Sequence, residues 1–295
     1  MYEIKIGYLL AYDYEMMKIS LPLVYQYADK IVLSLDKNRK TYKGNSFEIP
    51  TAFFNWLKQI DTKNIITVYE DDFAKPDLSP MECEVRQRRM TAGQLGTGGW
   101  HLQIDVDEYF VDFGKFIAQL RRFEKMLKPN EYVTVFANWI TLFKQINEGY
   151  LYTIFNKGYE LCHIATNNPD YEYGRACKNQ NALLADNFIL HDSWARDENQ
   201  LKLKLKNWSH SNDFDSDQFF SFWQSINVKN YHTFTNFHPL NSSLWKSLAL
   251  LKGKTIPEIL SDANLQLESK IKPWKTALRN MKGGGKILSL LKLNS

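Results

Sequence analysis

Cysteine is scarce, with three in 295 residues (Cys83, Cys162 and Cys177) and none in a C-x-x-C pair, which excludes a disulfide scaffold and the common zinc and dithiol motifs. A reducing compartment is expected. Long apolar runs are missing too: the longest uncharged apolar stretch, Tyr132 to Phe143, has 12 residues, short of the roughly 18 a spanning helix needs. The opening residues Met1-Tyr2-Glu3-Ile4-Lys5 lack the basic start and apolar middle of a secretory signal. The expectation is a cytoplasmic protein. There is no G-x-x-x-x-G-K-[ST], H-E-x-x-H or G-x-S-x-G, and Gly96-Thr97-Gly98-Gly99 leads into a strand rather than joining strand to helix, so it is no dinucleotide fingerprint.

What remains is ordinary globular material rich in rings: 44% hydrophobic, 24% charged and 14% aromatic residues, enough for a large core without disorder. The aromatic surplus fits either a sugar-binding cleft or an aromatic core. The net charge of +4 is unevenly spread, since residues 245–295 hold ten basic against three acidic side chains, leaving the rest mildly acidic. An acidic body with a basic end does not suit nucleic acid. The end, with Leu288, Leu290, Leu291 and Leu293 beyond Gly283-Gly284-Gly285, suits peripheral contact with an anionic membrane at its inner face, or a solvated lid.

Along the first half, strand-like and helix-like segments alternate as an α/β sheet requires: strands at 4–11, 30–35, 65–69 and 100–104, helices at 21–27, 51–60 and 113–127. Ser79-Pro80-Met81-Glu82 marks a helix start, with Ser79 as cap, proline at the first helical position and glutamate three residues after the cap; Gly93 or Gly96 can end it. Residues 132–142 read as a strand buried on both faces. A helix is expected from about Trp194 to Trp208, capped by Asp192 or Ser193, and helical structure after Pro239. The organisation predicted is an α/β domain over 1–240 with a basic helical extension over 241–295.

Eighteen aspartates make about one D-x-D by chance, and three occur. Two lie in Asp213-x-Asp215-x-Asp217, where Gln218 and Gln224 replace the glycine and glutamate of an EF-hand loop; that run reads as a solvated loop. Asp105-Val106-Asp107 differs. It ends an apolar strand, where open α/β sheets place ligands, and alternate residues of an extended segment point the same way. Two carboxylates so placed repel one another and lose solvation. A divalent cation removes both costs, and hard oxygen donors select Mg2+ or Mn2+ with positions left for phosphate oxygens.

The run Gly98-Gly99-Trp100-His101-Leu102-Gln103-Ile104-Asp105-Val106-Asp107-Glu108 resembles the strand and metal motif of nucleotide-sugar-dependent glycosyltransferases of the GT-A fold, family 2-like. The order of the first strands matches, and Arg88-Arg89 stands where that group often carries Arg-Asn, departing from it at Arg89. The resemblance covers about residues 1–145 and, more loosely, 191–210. It implies a Rossmann-like mixed sheet flanked by helices, and transfer of a sugar from a nucleoside-diphosphate donor to a glycan or lipid-linked acceptor. It implies Asp107 as direct metal ligand, Asp105 on the ribose or metal, Asp36 on base or ribose, Arg88 in donor binding, and His191, or else His210, completing the metal site. A base for an inverting reaction is left among Asp170, Glu172 and Asp192. The rival readings are a nucleotidyltransferase acting on sugar phosphates, against which Tyr8 to Tyr14 offers no glycine, and a non-catalytic carbohydrate-binding protein.

Overall fold

The computed structural model describes residues 1–155, 160–208, 213–262 and 280. In chain order come β1 (Ile4–Leu10), α1 (Met17–Tyr25), β2 (Lys30–Asp36), α2 (Thr51–Ile60), β3 (Ile66–Asp71), α3 (Pro80–Leu95), β4 (Trp100–Asp105), β5 (Glu108–Phe110) and α4 (Phe113–Met126). There follow β6 (Val133–Ile146), β7 (Gly149–Phe155), β8 (Glu160–Thr166), β9 (Tyr171–Tyr173), β10 (Ala176–Cys177), β11 (Asn181–His191), α5 (Glu198–Asn207), α6 (Ser216–Ser225), β12 (Trp245–Lys252) and α7 (Ile256–Ser261). They divide into two compact units: 1–136 with 163–185, and 137–162 with 186 onward. Strands β6, β8 and β11 give residues to both.

The first unit is α/β. Its parallel strands stand in the order β3-β2-β1-β4, and β8 joins β4 antiparallel through His101 opposite Thr166 and Leu102 opposite Ala165. This is a Rossmann-like half-sheet whose strand order reverses between β1 and β4. The central strands are largely apolar because both faces are covered: Ile4, Ile6, Tyr8, Val32 and Leu33 are all buried. Helix α3 starts as its sequence requires. The Ser79 side chain accepts the Glu82 N–H while Glu82 accepts the Ser79 N–H, and the helix ends at Gly96 with φ +83°, the first of the two expected stops being bypassed. Gln87 ties α3 to β2, its Nε2 donating to the carbonyl and hydroxyl oxygens of Ser34 at 3.0 and 2.9 Å. A side chain at Gly7 would meet Thr91 of this helix at 2.8 Å, so glycine there lets α3 close on the sheet.

One buried base in this sheet sets an acid limit on stability. His101 is fully buried, its Nε2 is 3.1 Å from the Gly98 carbonyl oxygen, and burial together with Lys5 pushes its pKa down to about 4. The unfolded chain takes up that proton near 6.5, the folded chain only near 4. Between those values protons favour unfolding. Stability is therefore expected to fall by about 3 kcal/mol as pH drops from 6.5 to 4, and urea titrations across that range should show the slope flatten in His101→Gln.

The second unit is antiparallel β and helix around a ring-filled core. β7 pairs with β12, Leu151 opposite Leu250, and with β6 through a tight turn that sets Ile146 opposite Gly149. Phe143, Trp194, Phe219, Trp223 and Trp245 are all buried, with ring centroids 4.9 Å apart for Trp194 and Phe219 and 5.8 Å for Phe143 and Trp245. Trp223 donates its indole N–H to the Phe143 carbonyl at 2.8 Å. Lys144 Nζ closes the end of α6 by donating to the carbonyls of Trp223, Gln224 and Ile226. Much of the aromatic surplus is this core.

Three expectations change. The predicted helix at 194–208 starts only at Glu198, because Asp197, accepting the Gln200 N–H at 2.9 Å, is its cap. Residues 245–252, within the stretch after Pro239 expected to be helical, form β12, since pairing with β7 overrides a weak propensity. The Asp213–Asp217 run, expected as a solvated loop, is a helix start, in which Asp215 accepts the N–H groups of Asp217 and Gln218. Among the described residues no helix is long and apolar enough to cross a membrane. His210, and the basic end from 263 apart from Asn280, lie outside the described residues.

Candidate functional site: the acidic turn after β4

β4 ends at Asp105 beside Leu9 of β1, at the point where the strand order reverses. Val106 turns into the core, 2% exposed, and Asp107 and Glu108 are buried at 4% and 1%. The turn closes on itself, with the Asp105 N–H donating to Glu108 Oε2 at 3.0 Å.

Two guanidiniums hold it. Arg88 on α3 lies one turn after Glu84; its Nε and Nη2 donate to Glu84 Oε1 at 3.0 and 2.9 Å, and Nη2 also to Asp105 Oδ1 at 2.9 Å. Arg175 approaches from the two-residue turn between β9 and β10, where Gly174 takes φ +52°. It donates to both Glu108 oxygens, at 2.8 and 2.6 Å, and to the Gln103 carbonyl at 2.9 Å, while its Nη2 lies 3.6 Å from Asp105 Oδ2. Burial opposes the charge on Asp105, but Arg88 and Arg175 outweigh burial and the neighbouring Asp107 and hold the carboxyl below its usual range. Glu108 goes the other way, burial raising it against the pull of Arg175.

Three carboxylates, Glu84, Asp105 and Glu108, thus face two guanidiniums, and Asp107 neighbours Asp105. Asp105 and Asp107 supply hard oxygen donors, and Mg2+ or Mn2+ needs only one or two carboxylates when phosphates and water fill the other positions, so these residues fit such an ion. Among the described residues no group of three or more His, Cys, Asp or Glu side chains could hold a metal. Of the predicted ligands, Asp105 and Asp107 belong to the first unit. His191 belongs to the second unit, where its ring stacks on Trp139 at 4.1 Å between centroids and 10° between planes.

The remaining candidates scatter. Asp36 ends β2 with its carboxylate engaged by four backbone amides: Oδ1 accepts from Asn38 and Lys40, Oδ2 from Phe73 and Ala74. Asp170 lies on the surface 3.9 Å from Arg89, whose Nε donates to the Tyr171 carbonyl at 2.6 Å. Glu172 pairs with Lys178 at the surface, and Asp192 is buried in the second unit. Sequence reasoning left out Glu84 and Arg175. Glu84 had a signal, the four-residue spacing to Arg88. Arg175 had none, because it reaches the turn from a segment with weak secondary-structure pattern.

No protein-family model matches the chain, and no curated protein matches it. Among solved structures it is similar to mannose-1-phosphate geranyltransferase from Thermus thermophilus, at 8% identity over 57% of this chain and 51% of that one, with TM-score 0.29. It is also similar to UDP-glucose pyrophosphorylase complexed with UDP-glucose, at 10% identity over 66% of this chain and 92% of that one, with TM-score 0.28. The chain spans about half the length of the first of these. The α/β class of the first unit rests on its own strand order and registers.

Proposed function

We propose that the protein is a nucleotide-sugar-dependent transferase whose donor binds at the carboxyl edge of the parallel sheet, and that the group it moves is the sugar, to a glycan or lipid-linked acceptor. One observation carries this reading: a turn with two neighbouring carboxylates, Asp105 and Asp107, stands where the strand order reverses. In sheets of this kind ligands sit at that crevice.

Asp105 and Asp107 would hold Mg2+ or Mn2+. Once bound, the ion supplies positive charge for the departing diphosphate. The chain's own residues prepare the place. Arg88 acts through Asp105, fixing one carboxylate oxygen, and Val106 anchors the turn in the core so that its neighbours do not swing. Asp36 binds the loops after β2 and β3 together at the same edge of the sheet. Asp170 and Glu172, both exposed carboxylates of the first unit, are the candidates there to accept a proton from an acceptor hydroxyl.

A second reading is a nucleotidyltransferase acting on sugar phosphates, in line with the name of one of the two solved structures, UDP-glucose pyrophosphorylase. Against it, Tyr8 to Tyr14 carries neither glycine nor a basic residue to cradle a triphosphate. The two chemistries separate in one assay. With Mn2+ and a panel of UDP- and GDP-sugars, the first reading expects a raised melting temperature and slow release of UDP or GDP. Pyrophosphate formed from a nucleoside triphosphate and a sugar 1-phosphate, without any such release, would establish the second.

A further inference from the structure

The geometry points to Arg175 as a positioning residue for the acidic turn: it sets the direction of Asp105 and thereby the affinity for the divalent ion. The inference rests on the proposed metal and nucleotide-sugar site. Arg175 touches three parts of the turn, namely the Gln103 carbonyl that precedes it, both oxygens of Glu108 that closes it, and the side of Asp105 that Arg88 does not hold. Its side chain is 8% exposed and that of Asp105 is 31% exposed, so the guanidinium sits beneath the turn while the carboxylate keeps an open side. Arg88 takes Oδ1 at 2.9 Å and Arg175 stands 3.6 Å from Oδ2, which leaves the carboxylate gripped firmly at one oxygen and loosely at the other. A loosely held oxygen is one an incoming ion can claim. Glu108 Oε2 accepts from both the Asp105 N–H and Arg175 Nη1, so the backbone of the turn and the guanidinium are locked to the same carboxylate.

The planar fork, more than the charge, is what this arrangement uses. Two parallel N–H···O bonds to Glu108 fix the plane of the guanidinium, and a lysine ammonium at the same place would keep the charge but lose the plane. The arginine comes from the β9–β10 hairpin, whose neighbouring residues include Asp170 and Glu172, and Arg89 pins the same hairpin through the Tyr171 carbonyl. Arg175 thus joins the turn that would hold the ion to the segment that carries two of the candidate bases.

The test titrates the full chain with Mn2+ in the presence of UDP or GDP and follows free Mn2+ by electron paramagnetic resonance, alongside melting temperatures without metal. Arg175→Lys is expected to melt within a few degrees of the wild type and to bind Mn2+ about tenfold or more weakly. Glu108→Gln, which keeps an acceptor for the Asp105 N–H but loses the charged fork, is expected to weaken binding similarly, and serves should Arg175→Lys not fold. Unchanged Mn2+ affinity in a folded variant overturns the inference and leaves the site itself standing. Loss of the fold in both variants makes Arg175 a purely structural residue, which also overturns it. Failure of the wild type to take up Mn2+ with either nucleotide defeats the reading of the site from the wild-type protein alone, and the inference falls with it.

Discussion

Asp107→Asn is expected to lower metal-dependent turnover of a nucleotide sugar by two to three orders of magnitude while the protein stays folded. The substitution keeps the size of a buried side chain and removes only a charge. On the proposed reading, that charge is one of the two, with Asp105, that would hold the divalent ion. Loss of a group that stabilises charge developing in the transition state costs on the order of 3–4 kcal/mol, which is roughly the hundredfold to thousandfold expected. Asp107 also pushes the Asp105 carboxyl upward, and its neutralisation relieves that repulsion. Initial rates with UDP- and GDP-sugars in Mn2+, beside calorimetric melting, measure both quantities. Turnover undiminished in a folded Asp107→Asn removes the acidic turn from the chemistry.

The parts of this molecule that could be read in its residues are those whose cause is local. Ser79, Pro80 and Glu82 specify a helix start through three side-chain and backbone effects within four residues, and α3 begins there. The helix expected at 51–60 and the strand ending at Asp36 are found as such, since apolar period and flanking polar residues agree over those stretches. The same holds for Asp105, placed by the apolar strand before it. Where long-range pairing decides, the residues mislead: Trp245 to Lys252 is built of helix formers, yet β7 offers it a ladder of backbone partners. Trp194 looked like the first turn of a helix but is a core residue packed on Phe219 and Trp245 before the helix begins. Half of the ion lattice at the turn was hidden for the same reason. Arg88 lay on a legible helix, whereas Arg175 arrives from 70 residues after Asp105, and nothing in the residues around it announces what it will meet.

Asp36→Asn distinguishes a carboxylate that touches the donor from one that builds the site, and the structure favours the second. Its two oxygens accept four backbone N–H groups at 2.9 to 3.1 Å, two from the loop directly after β2 and two from the segment after β3, at a residue only 4% exposed. An asparagine offers one oxygen and turns an NH2 group toward two amides that can only donate. Two charge-assisted bonds are lost and two buried donors are left facing a third, for which about 4 kcal/mol is the expected cost. At roughly 2–4 °C per kcal/mol for a chain near this size, the melting temperature should fall by about 10 °C. Donor affinity measured well below the new midpoint should change far less than it does in Asp107→Asn. The reverse result, an unmoved melting temperature with a large loss of nucleotide-sugar affinity, would return Asp36 to the base or ribose contact that the resemblance implies, and would mean that the four amides find other acceptors when their carboxylate is gone.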